Sequence, residues 1–129
     1  MAQALGADLA YMGTRFIATQ EANAPAAYKE ALIEAASGGE IIYSNLFTGV
    51  HGNYLRSSVA AAGLDPDNLP QSDKSAMNFG SGGNTKQKAW RDIWGAGQGV
   101  GQIGDEPTVE ELVSRLETEY RDAKKALAA

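Results

Sequence analysis

The chain has 129 residues, enough for one domain or part of a larger one, and its 43% hydrophobic content is ordinary for a globular chain. Its 11 basic and 16 acidic residues give a net charge of −5, with Arg and Lys scattered rather than gathered into the basic stripe of a nucleic-acid binder. The absence of cysteine excludes disulfides and thiolate metal sites.

Other totals narrow the setting. With a single histidine, His51, a zinc site would have to be built mostly from carboxylates, so no metal is expected. No apolar run approaches the ~20 residues of a membrane span, and the first residues lack the pattern of a signal peptide. A cytoplasmic setting, with neither nucleic acid nor membrane as partner, is the expectation.

Taken in order, residues 1–5 read as the last turn of a helix with Gly6 at its C′ position. A one-turn helix does not stand by itself, so the chain reads as starting inside an element. Residues 8–12 (DLAYM) have the length of a strand and are mostly apolar, as in a buried parallel sheet. Pro25 suits the first turn of a helix carrying Tyr28, Ala31, Leu32 and Ala35 at helical spacing, ended by Gly38 and Gly39.

Residues 40–44 are strand-like or extended, and 53–62 read as a short helix terminated by Gly63. Residues 64–72 form a loop and 80–84 a turn. Residues 85–94 are again helical, with Ala89, Trp90, Ile93 and Trp94 together. Thr108 and Glu111 have capping-box spacing ahead of an apolar stripe through Val109, Leu112, Val113, Leu116, Tyr120, Ala123 and Leu127. That stripe predicts a terminal helix packed on its own core.

Two glycine-containing stretches are candidate ligand sites. After the predicted strand, the amides of Gly13 and Thr14 with the Thr14 hydroxyl could bind a phosphate; a plain strand-to-helix turn would look the same. Residues 95–104 hold Gly99, Gly101 and Gly104 in G-x-G-x-x-G spacing, but a helix precedes them and an acidic stretch follows, which rejects a dinucleotide fold. Gln98 is the long polar side chain at their centre, beside either a ligand or a tight helix crossing. His51 between Gly49 and Gly52 reads as a surface residue rather than a base. Lys29 and Arg56 fit exposed helix faces as well as an anion site.

Residues 6–22 and 96–103, in that order, are similar to two motifs of the nitronate monooxygenases, formerly called 2-nitropropane dioxygenases. Residues 53–58, 63–67 and 88–94 add to the likeness. Residues 13–16 (GTRF) also occur in related flavin barrels, including an enoyl reductase. The resemblance implies an α/β chain: the C-terminal fragment of a (β/α)8 barrel, which needs ~250 residues when whole. The last strand and its helix would occupy 1–39, a helical lid 40–104, and a helix packing back on the barrel 105–129.

It further implies an FMN-dependent oxidoreductase acting on alkyl nitronates and O2. Met12, Gly13 and Thr14 would hold the FMN phosphate, and Gly97, Gln98 and Gly99 would lie near flavin and substrate. The partner would be the remaining barrel half. The family's catalytic histidine falls in that earlier part, so no catalytic residue is assigned here and His51 does not inherit the role. A non-enzymatic helical interaction module and a piece of another FMN barrel, such as an enoyl reductase, are the other readings.

Overall fold

The computed structural model describes residues 3–35, 40–71 and 89–128. The expected glycine stop at 38–39, the turn at 80–84 and the first half of the helix predicted over 85–94 lie outside the described residues. Among the described residues there are five α-helices, α1 (Thr14–Ile17), α2 (Ala26–Glu34), α3 (Arg56–Ala61), α4 (Ala89–Asp92) and α5 (Val109–Ala128), and one two-stranded sheet of β1 (Ile41–Ser44) and β2 (Gly52–Leu55).

A 3-10 turn at Gln3–Leu5 ends at Gly6, whose φ of +89° is the left-handed stop expected of it. Residues 8–12 correct the sequence reading: they form no strand, and Leu9 and Tyr11 are 90% and 102% exposed. A strand exists only where a neighbour takes up its amides and carbonyls, and none of the described residues pairs with this one.

Helix α2 starts directly after Pro25, whose φ of −56° leads the chain into the helical turn. Its inner face delivers Leu32 to a core with Ala18, Ala35, Leu55, Ala96, Val100 and Ile103. A second cluster of Phe47, Val59 and Ile93 lies between the hairpin and α3. Leu32, Leu55, Val59 and Val100 are fully buried.

The predicted helix over 53–62 is also corrected. Strand β2 takes its first residues, placing Leu55 opposite Ile41 and Tyr54 opposite Ile42. Its backbone is used on the other edge too: the Leu55 amide donates to the Trp94 carbonyl at 2.8 Å, and the Ala96 amide to the Asn53 carbonyl at 3.3 Å. Such long-range pairing overrides the weak local preference of a short apolar run. The helix proper, α3, ends where expected, at Gly63 with φ +78°.

The capping box forms. The Thr108 amide donates to Glu111 Oε2 at 2.9 Å and the Glu111 amide to Thr108 Oγ1 at 3.2 Å. Glu21 also accepts the Val109 amide at 3.0 Å. Thr108→Ala should therefore lower stability by about 0.5–2 kcal/mol, read as a lower thermal midpoint; an unchanged midpoint would show the cap to be idle. The stripe behind it packs only in part: Leu112 is buried and Leu116 half-buried, while Val113, Tyr120 and Leu127 are exposed. Residues 117–128 are exposed in the described chain, where the Tyr120 hydroxyl donates to Gln3 Oε1 at 2.6 Å.

Candidate functional site

The two glycine stretches meet. Segment 94–96 is drawn along the free edge of β2 by the bonds above, and Trp94 stacks on Tyr28 of α2 with ring centroids 5.1 Å apart. The Trp94 amide also donates to Ser58 Oγ at 3.0 Å. Thus fixed, the chain enters a 3-10 helix at Gln98–Gln102, and the Gly97 amide donates to Thr14 Oγ1 at 2.9 Å, across 83 positions of sequence. That bond uses Thr14 as acceptor and leaves its O–H free to donate.

Around this contact lies a cavity of about 380 Å³, within the range of small-molecule sites. Met12, Gly13 and Thr14 line one side, Gly97, Gly99 and Gln102 the other, and Leu112, Arg115 and Leu116 of α5 contribute a third wall. Five of the six expected binding residues are therefore brought together. The sixth, Gln98, is exposed and outside the lining, where Gln102 stands instead.

The glycines fit a bound group. Neither Gly13 nor Gly99 has a positive φ, and a Cβ at either would meet nothing within 4 Å. Neither backbone conformation nor crowding by this chain requires glycine there; the missing side chains keep the cavity walls open. The first-turn amides at Gly13 and Thr14 have no intrahelical acceptor, so they can serve a phosphate oxygen.

Charged side chains pair in ways the sequence did not announce, and two of them, Arg15 and Arg115, line this cavity. Arg15 Nη2 meets Asp105 Oδ1 at 2.6 Å, and Arg115 Nη2 meets Asp105 Oδ2 at 2.6 Å. Lys29, which fitted an exposed face and an anion site equally well, is 7% exposed and donates to the Thr19 and Gln20 carbonyls at 2.6 and 3.3 Å and to Glu106 Oε1 at 2.8 Å. Arg56 pairs with Asp67. Partners 90 and 77 positions apart leave no local signal in the sequence.

His51 stands apart from these residues. It stacks on Tyr43 at 4.8 Å and lines a second cavity of about 220 Å³ with Asn45 and Asp67. Among the described residues no group of three or more His, Cys, Asp or Glu could hold a metal ion, and no helix is long and apolar enough to cross a membrane.

The ion pairs make stability pH-dependent. Hydrogen bonds from Arg115 hold the Asp105 carboxyl below its ordinary 3.8, Arg56 does the same for Asp67, and the Thr108 amide and hydroxyl hold Glu111 below 4.5. Groups lowered in the folded state stabilise it while ionised. Their contribution is complete above the ordinary carboxylate range and is lost as pH falls through it towards the lowered values. The thermal midpoint should fall between about pH 5 and about pH 2, and less steeply for Asp105→Asn. Equal slopes would show that Asp105 titrates as in the unfolded chain.

Comparison with known proteins supplies the class first. The fold is α/β and similar to that of a FabK mutant from Thermotoga maritima, with a TM-score of 0.66 at 22% identity, over 98% of this chain and 38% of that one. The chain thus spans well under half the length of that structure. The family model for nitronate monooxygenase matches residues 1–119, and the chain belongs to this family of oxidoreductases. No curated protein sequence matches it.

Proposed function

We propose that this chain forms the phosphate-gripping and covering part of an FMN-dependent enzyme that oxidises alkyl nitronates with O2, yielding a carbonyl compound and nitrite. The observation that carries the reading is the Gly97–Thr14 hydrogen bond, which joins both family motifs around one cavity. FMN, when bound, supplies the electron transfer between substrate and O2.

The residues of this chain have positioning roles. The Gly13 and Thr14 amides and the free Thr14 hydroxyl hydrogen hold the phosphate, while Met12, Gly97 and Gly99 shape the space beside it. Gln98 stands on the exposed side of the same 3-10 helix, towards substrate. Of the lid segment, Gly97, Gly99, Gln102 and Ile103 line the cavity, and Leu112 and Leu116 give it an apolar wall. No residue here acts as base; that role belongs to the remaining barrel half, the partner of this chain. Residues 8–12 become the last barrel strand beside that partner, which accounts for the exposure of Leu9 and Tyr11.

Purified by itself, the chain should bind FMN poorly. Combined with the remaining barrel, it should give a yellow protein of one flavin per site with nitronate-dependent oxygen uptake. A stoichiometric flavoprotein from this chain by itself would contradict the division of labour. Turnover of enoyl substrates in place of nitronates would favour another flavin barrel, a reading that residues 13–16 also fit.

A further inference from the structure

The proposed phosphate grip is tied down on two sides, and only one tie belongs to a family motif. Gly97 holds Thr14 at the start of α1. At the other end, Arg15 Nη1 donates to the carbonyls of Ala18 and Asp105, each at 3.2 Å, while Nη2 meets the Asp105 carboxylate. Helix α1 has only four residues, and a single turn does not hold its own geometry. These two ties, with the core packing of Ile17 and Ala18 and the Gln20 amide bonded to the Pro107 carbonyl at 3.0 Å, set the direction of its first amides.

We infer that Asp105 is a positioning residue for the phosphate grip: it fixes Arg15, the residue after Thr14, and through Arg115 makes the grip depend on the docking of α5. This rests on the FMN reading above. Arg15 is the least exposed member, its side chain 13% exposed, whereas Asp105 and Arg115 are 45% and 43% exposed. Exposed ion pairs contribute little to stability, so beyond the small pH-dependent contribution above the linkage acts on the aim of the loop. Its three members lie on three segments: Arg15 on α1, Asp105 before the capping box, and Arg115 two turns into α5.

The test compares FMN with riboflavin, which lacks the phosphate, in titrations of the apo-enzyme that contains this chain. Asp105→Ala should raise the Kd for FMN about tenfold, the scale of one charge-assisted hydrogen bond, and leave that for riboflavin nearly unchanged. Equal weakening of both ligands would mark a merely structural role and overturn the inference, as would unchanged FMN affinity. If the wild-type protein binds both ligands equally, the phosphate-grip reading itself fails and takes the inference with it. Should Asp105→Ala not fold, Asp105→Asn and Arg115→Ala make the same comparison with the same outcomes.

Discussion

Lys29→Met should lower the thermal midpoint by roughly 10 °C, equivalent to about 2–4 kcal/mol for a domain of this size. The lysine lies on α2 with its ammonium placed between two backbone carbonyls and the Glu106 carboxylate. Methionine keeps the length and apolar stem but donates nothing. The Thr19 carbonyl then loses its charged donor and keeps only the Ala22 amide at 3.3 Å; a hydrogen bond to a charged group contributes about 1.5–3 kcal/mol. Glu106 is 38% exposed on its side chain, so water recovers part of its loss. Circular dichroism melting reads the effect, and Glu106→Gln in the Lys29→Met background should add little. A midpoint shift near zero would show that Lys29 is as dispensable as the surface lysine its sequence context suggests.

Gly13→Val should abolish most flavin binding while sparing the fold. Its backbone lies outside the left-handed region and a Cβ meets nothing within 4 Å, so valine is accommodated by this chain. The same side chain projects beside the cavity shared with Thr14 and Gly97. Displacing a phosphate from two or three charge-assisted donors costs at least about 3 kcal/mol, or about two orders of magnitude in Kd. Flavin fluorescence titration of the complete enzyme measures it, with the thermal midpoint as control. Retained flavin affinity would remove Gly13 from the site; lost folding would show instead that the glycine is structural.

What was legible in the sequence was local chemistry. The capping box at Thr108 and Glu111, the stops at Gly6 and Gly63, and the entry at Pro25 each follow from a few adjacent residues, and each is found in the structure. The meeting of Gly13 and Thr14 with Gly97 came through the family likeness, because nothing in the spacing of two stretches 83 positions apart brings them together. Strand β2 was misread because Tyr54 and Leu55 suit a helix face as well as a strand, and the deciding partners, Ile41 and Trp94, are distant. Residues 8–12 form no strand in this chain for the opposite reason: an apolar strand pattern is realised only where neighbours complete its pairing. Arg15, Asp105, Arg115 and Lys29 were missed because charged side chains read as solvated faces until the fold reveals what stands opposite them.

The central claim is that the cavity between the two motifs holds a flavin phosphate. The structure of the flavin-loaded enzyme containing this chain tests it most directly. A phosphate oxygen is expected within hydrogen-bond reach of the Gly13 or Thr14 amide, with the Gly97–Thr14 bond intact. A phosphate seated elsewhere, with this cavity filled by side chains of the remaining barrel, would contradict it.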